Sequence, residues 1–153
     1  MWGAMIIIKK ENILDEKIFT MIRESDEFYA QLYPQESNHL LSWENLTKDG
    51  VEFFVARRDH DVCGFGGIVR YDDYCEIKRM YVSKSFRGLG LGSALLNTLE
   101  HQAKDLNVNL ICLETGIRQP EAIALYKKHG YIEIGPFGNY KVDPLSIFME
   151  KSI

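Results

Sequence analysis

The chain has 153 residues, enough to bury roughly 70% of its unfolded surface around one core, so residues 1–153 predict one domain rather than two. With 46% hydrophobic and 26% charged residues, the composition is that of an ordinary globular protein and gives no support to a disordered or membrane-embedded chain. A formal net charge of -4 argues against the broad cationic surface that nucleic acid requires, so no DNA or RNA partner is expected.

The apolar run over 5–8 is too short for a signal-peptide core or a spanning helix, which predicts no membrane association and a cytoplasmic location. Residues 1–4 precede this run, which opens a strand over 5–9. Ile18, Met21, Ile22, Phe28 and Leu32 then recur at roughly helical spacing, predicting one helix or two short ones over 15–33, ended by Pro34. Beyond it, Ser37 or Asn38 could cap a short helix carrying Leu40, Leu41, Trp43 and Leu46, and Asp49-Gly50 reads as a turn.

Two β-rich runs, over 51–58 and 62–71, flank the polar break Asp59-His60-Asp61 and predict an antiparallel hairpin. Asp72-Asp73 turns the chain into a further strand over 74–82, so this part reads as an antiparallel meander. A polar, glycine-rich loop over 83–92 follows, and Leu91, Leu95, Leu99, Ala103 and Leu106 form the stripe of an amphipathic helix. Next come a buried strand over 108–113 and a helix over 120–129, with Glu121 in its first turn, Lys127, Lys128 and His129 in its last and Gly130 as its stop. A strand over 131–134, a loop at Gly135-Pro136-Phe137-Gly138 and a final strand over 145–149 complete a mixed-sheet α/β plan with helices on both faces.

Cys63, Cys75 and Cys112 lie singly in apolar strand-like segments, and His39, His60, His101 and His129 show no ligand spacing, so reduced buried thiols and no metal are expected.

The chemistry concentrates at Arg87-Gly88-Leu89-Gly90-Leu91-Gly92, followed by Ser93, between a strand and a helix N-terminus. Free N–H groups and the helix dipole favour a phosphate there. Glycine at 88, 90 and 92 keeps side chains out of its path or permits positive φ, and Arg87 adds charge at the rim. A Walker loop needs Gly-Lys-Ser/Thr where this chain has Gly92-Ser93-Ala94, and a Rossmann loop needs glycine where it has Ser93, so both fit poorly. The plain alternative is a glycine-rich turn that lets the helix pack on the strand.

Together with Ala122-Ile123-Ala124-Leu125-Tyr126-Lys127-Lys128-His129-Gly130-Tyr131, the Arg-x-x-Gly-x-Gly signature resembles the GNAT superfamily of N-acetyltransferases. The resemblance spans most of the chain, from the meander over 51–82 to the last strand. It implies a GNAT-like mixed, mostly antiparallel sheet of about six or seven strands with helices on both faces. Glu114-Thr115-Gly116, Arg118-Gln119-Pro120-Glu121-Ala122, Pro136-Phe137 and Asp143-Pro144-Leu145-Ser146 are similar to a bacterial group of small-molecule or uncharacterised acetyltransferases, some linked with indole-acetate metabolism; the stretch with Glu36, Ser37 and His39 resembles the same group.

The resemblance implies acetyl-CoA as cosubstrate and no metal. The backbone of Met80, Tyr81 and Val82 would pair with the pantetheine arm like an added strand, and the loop from Arg87 to Ser93 would hold the pyrophosphate. Gln119 stands near the position where many members carry an asparagine that contacts the cofactor. Tyr126 corresponds to the acid that protonates the departing thiolate, with a core tyrosine as its plain alternative. Glu76 ranks first as the base, against a plain surface pair with Lys78; Glu114 ranks second as base or amine anchor, against a solvated strand end; His39, in the substrate wall, ranks third. The implied reaction is direct transfer to a primary amine of a small molecule, and members are often homodimers. Protein or peptide acetylation, and a non-catalytic acetyl-CoA-binding sensor, stay open as alternatives.

Overall fold

The computed structural model describes residues 5–153 apart from 13, 14, 40, 41, 47 and 49. Residues 1–4, the apolar positions Leu40 and Leu41, Asp49 of the expected turn and the Trp43 side chain lie outside the described residues.

Strand β1 (Ile6–Lys10) leads into helix α1 (Glu16–Leu32), which is continuous. Asp15 caps it by accepting from the Ile18 N–H at 2.9 Å. Tyr33 is extended and Pro34 follows, so the helix cannot continue. Among the described residues of the stretch where a short helix is expected there are two 3-10 turns, Gln35–Ser37 and Trp43–Asn45, and Ser37 lies inside the first rather than capping a helix.

Strands β2 (Val51–Arg58), β3 (Asp61–Arg70) and β4 (Cys75–Val82) form the expected meander; Asp61 joins β3, which leaves Asp59-His60 as the turn. Helix α2 (Leu91–Asp105), strand β5 (Leu110–Gly116), helix α3 (Pro120–Lys128) and strands β6 (Ile132–Ile134) and β7 (Ser146–Ser152) follow. They build a seven-stranded sheet in the order β1-β2-β3-β4-β5-β7-β6, antiparallel except where β4 meets β5. Among the described residues no helix is long and apolar enough to cross a membrane.

Alternation along β2 sends side chains to opposite faces. Phe53 and Val55 pack with Phe65 beneath Ile18, Ile22 and Tyr29 of α1, whereas Phe54 joins Ile68, Ile77 and Ile111 beneath Leu96 and Leu99 of α2 and Tyr126 of α3. Helices therefore cover both faces, as expected.

Two local features open the sheet. The parallel pairing of β4 with β5 is confined to Cys75–Ile77 against Ile111–Leu113. Just beyond it β4 bulges: Tyr81 faces Phe65 and Lys78 faces Gly67, so Arg79 and Met80 both oppose Gly66. Arg79 holds φ at 60°, a left-handed conformation uncommon for a non-glycine residue, with its buried guanidinium bonded to Ser25 Oγ at 3.1 Å and to Asp26. β5 also outruns its expected end at 113. β7 pairs Phe148, Ile147 and Ser146 with Glu114, Thr115 and Gly116, so Glu114 sits inside a strand and not at a solvated end.

Candidate active site

Where β4 and β5 diverge, a cleft of about 460 Å³ opens between Met80, Tyr81 and Val82 on one wall and the start of α3 on the other, ending at the N-terminus of α2. Gly88 and Gly90 have φ of 79° and 78°, and a Cβ at either would meet nothing within 4 Å. Glycine is needed there for the backbone conformation rather than for room. Gly92 differs from that expectation: it is helical, and a Cβ would lie 3.1 Å from Leu125 Cδ2, so its smallness lets α2 approach α3.

Arg87 folds over the rim. Its Nε donates to the Val82 carbonyl at 3.0 Å, and its guanidinium stands 5.3 and 5.6 Å from the ring centres of Phe28 and Tyr81. Leu91 lines the cleft, but Leu89 is 60% exposed and Ser93 Oγ lies 2.9 Å from His129 Nε2, so neither of those two residues lines it.

A second cavity, of about 80 Å³, lies further along the same opening. Tyr29, Met80, Gln119, Ala122 and Tyr126 line both spaces, so these residues form the throat between them. Burial pushes the Tyr126 phenol up, which keeps it protonated and able to donate. Burial likewise moves Tyr29 up to about 12, and its hydroxyl donates to the Met80 carbonyl at 3.1 Å. Gln119 braces the turn into α3, its Oε1 accepting from the Tyr33 hydroxyl at 3.1 Å and the Gly116 N–H at 3.3 Å.

Glu76, Glu114 and His39 converge on this smaller cavity. The exposed Glu76–Lys78 pair weighed from sequence does not exist as such: Glu76 is only 3% exposed because the strap over 135–145 lays Tyr140 across it. The Tyr140 hydroxyl donates to Glu76 Oε2 at 2.6 Å and accepts from Lys78 Nζ at 2.6 Å, while Lys78 Nζ stands 3.1 Å from the same carboxylate oxygen. Glu114 accepts from Ser146 Oγ at 2.7 Å. Burial pushes its carboxyl up, against the opposing pull of Ser146, His39 and Lys78. His39 Nε2 is 3.4 Å from Asp143 Oδ2, and its ring meets Tyr140 edge-on at 5.5 Å.

Tyr140, Tyr29 and Tyr33 are the site residues that sequence reasoning missed. For Tyr140 the available signal is the one aromatic in the short run between Gly138 and Asp143-Pro144. The three cysteines are buried and free, and burial raises their thiols, Cys112 to about 11. Among the described residues no group of three His, Cys, Asp or Glu side chains could hold a metal ion.

The profile of the Acetyltransferase (GNAT) family matches residues 18–131. An IAA acetyltransferase of Azospirillum brasilense is 42% identical over 150 residues, covering 97% of this chain and 98% of that protein. An uncharacterised N-acetyltransferase of Escherichia coli K12 is 26% identical, over 97% and 96% of the two chains. Among solved structures, a candidate acyl-CoA N-acyltransferase from Klebsiella pneumoniae superimposes with a TM-score of 0.81 at 33% identity, covering 98% of this chain and 99% of that one. The PaiA N-acetyltransferase of Thermoplasma acidophilum, solved in complex with coenzyme A, shares the fold with a TM-score of 0.79 at 22% identity, over 98% and 100% of the chains.

Proposed function

Because the chain belongs to the acetyltransferase (GNAT) family, we propose that it moves an acetyl group from acetyl-CoA directly to a primary amine of a small molecule. The observation that carries this reading is the pair of cavities meeting at Tyr126, the larger ending at the N-terminus of α2, the smaller lined by two carboxylates.

The residues present fit the cosubstrate. Helix geometry leaves the first-turn N–H groups of α2 without intrahelical acceptors, which suits a pyrophosphate. The left-handed Gly88 and Gly90 shape the loop before it, and the edge of β4 beyond Ile77, freed from β5, suits an extended arm. Bound acetyl-CoA supplies the activated acyl thioester.

On the protein side, Met80, Ala122 and Tyr126 form the throat, and backbone N–H groups along that edge of β4 would favour negative charge on the acyl oxygen. Tyr126 holds the proton needed by the departing thiolate. A carboxylate of the smaller cavity takes the acceptor's proton, since an amine attacks only as the free base. Buried thiols raised above their ordinary range are poor nucleophiles, so direct transfer is favoured over an acyl-enzyme.

A cavity of about 80 Å³ suits a compact amine, and similarity to an IAA acetyltransferase supports a small acceptor. The test is thiol release from acetyl-CoA across amino acids, polyamines, aminoglycosides and short peptides. Release with a small amine is expected. Release with peptides alone would contradict the acceptor class, and tight binding of acetyl-CoA without release to any acceptor would contradict the activity.

A further inference from the structure

The two carboxylates of the smaller cavity keep unlike company. Glu76 Oε2 receives both the Tyr140 hydroxyl at 2.6 Å and Lys78 Nζ at 3.1 Å, and Lys78 donates in turn to Tyr140 at 2.6 Å. The side chains of Glu76 and Lys78 are 4% and 16% exposed, so this is a buried ion pair closed by a hydroxyl. Protonating Glu76 would strand the charge of Lys78 in a poorly solvated place. Glu114, by contrast, accepts from Ser146 Oγ and forms no ion pair among the described residues. An ammonium entering the cavity would find its compensating charge there.

We propose that Tyr140 is a positioning residue that locks Glu76 onto Lys78, leaving Glu114 as the carboxylate that receives the acceptor's proton; this rests on the amine acetyltransferase reading above. In the step itself an N–H bond of the acceptor ammonium breaks, the proton forms an O–H bond on Glu114, and the lone pair left on nitrogen is free to attack.

The placement of Tyr140 is itself fixed. Its ring centre lies 5.1 Å from that of Phe137, 5.3 Å from that of Phe148 and 5.5 Å from that of His39. Burial and the neighbouring Glu76 raise its phenol, so the hydroxyl stays protonated through the neutral range. The titratable groups that face Glu114 are Glu76 and Lys78 from β4, Tyr33 after α1, His39, Tyr126 from α3 and Tyr140 from the strap. His39 is the one imidazole among them, a second group that could take a proton, and it needs its own control.

The test is kcat/KM for an accepted amine against pH in the wild type and in Glu114→Gln, Glu76→Gln, His39→Gln and Tyr140→Phe, with folding followed by circular dichroism and acetyl-CoA affinity by calorimetry. Glu114→Gln is expected to lose the acidic limb and about 100-fold of the neutral rate, while Glu76→Gln and His39→Gln keep the limb. Tyr140→Phe retains the ring packing and is expected to raise the acceptor KM about threefold or more, with kcat and acetyl-CoA affinity little changed. A limb that survives in Glu114→Gln and disappears in Glu76→Gln or His39→Gln overturns the assignment, and an unchanged acceptor KM in Tyr140→Phe overturns the positioning role.

Carboxyl carbon-13 NMR of glutamate-labelled protein reads the assignment without turnover. Ethylammonium, small enough for a cavity of about 80 Å³, is expected to move the Glu114 resonance, identified through Glu114→Gln, and not that of Glu76. A response from Glu76, or from neither, overturns the proposal whether or not acetyl transfer occurs. A Glu114 response in a protein that acetylates nothing would overturn the proposed function alone.

Discussion

Nearly half of the residues lining the end of the cleft proposed for acetyl-CoA come from one stretch, residues 80–92, whereas the pairings at the end proposed for the acceptor join distant parts of the chain: Tyr140 meets Lys78 and Glu76 across 62 and 64 positions. The first is shaped by backbone conformation, with Gly88 and Gly90 at positive φ and β4 bulged at Arg79. The second is shaped by side chains whose charges depend on one another. The proposed phosphate cradle is therefore in large part a local property of the chain, and the proposed acid–base site is a property of its packing.

If the acceptor end depends on Glu114, its removal gives the largest effect. Glu114→Gln should lower turnover near neutral pH by about 100-fold while leaving acetyl-CoA affinity unchanged, as steady-state kinetics and calorimetry would read. An equal loss of cofactor binding would erase the separation of the two ends. Tyr126→Phe, at the throat, comes next: the rate of the chemical step should fall by about tenfold with cofactor binding intact, read by single-turnover kinetics.

A pair of glycine substitutions addresses the two ends separately. Gly90→Val forces a β-branched residue to φ near 78° and should weaken acetyl-CoA binding by about tenfold in a folded protein, without raising the acceptor KM. Gly138 has φ of 57°, and a Cβ there would lie 2.8 Å from the Tyr74 hydroxyl, on the acceptor side; Gly138→Val should raise the acceptor KM and spare acetyl-CoA binding. If both variants disturb both ligands equally, the ends are not independent.

The smallest effect is a shift in pH dependence. The Ser146 hydroxyl donates to the charged form of Glu114, so losing it favours the protonated carboxyl, and activity falls as pH drops through that protonation. Ser146→Ala should move the acidic limb to higher pH by less than about one unit, measured as kcat/KM against pH. A shift to lower pH would show that another group governs the limb.

The same division explains what could be read from the sequence. The loop from Arg87 to Gly92 and the stripe Leu91, Leu95 and Leu99 follow from spacing along the chain, and the structure places them at the cleft and in the core. The end of β5 could not be read that way, because Glu114 through Gly116 are strand only by pairing with β7. After Pro34 the described residues include two 3-10 turns, Gln35–Ser37 and Trp43–Asn45, and two of the apolar positions that suggest a helix, Leu40 and Leu41, lie outside the described residues. From sequence Glu76 ranks first among the candidate bases because nothing near it in the chain signals Tyr140; in the structure Glu76 pairs with Lys78 and accepts from Tyr140. Sequence brings Glu76 and Glu114 forward as candidates but cannot supply the neighbours that tell them apart.

The proposed activity is tested most directly by quantifying free CoA thiol and N-acetylated amine together after the protein is incubated with acetyl-CoA and the amine panel. Direct transfer predicts equal amounts of the two, with no acetylated protein detected by mass spectrometry. Thiol released without acetylated amine, or an acetyl group that remains on Cys63, Cys75 or Cys112, would contradict it.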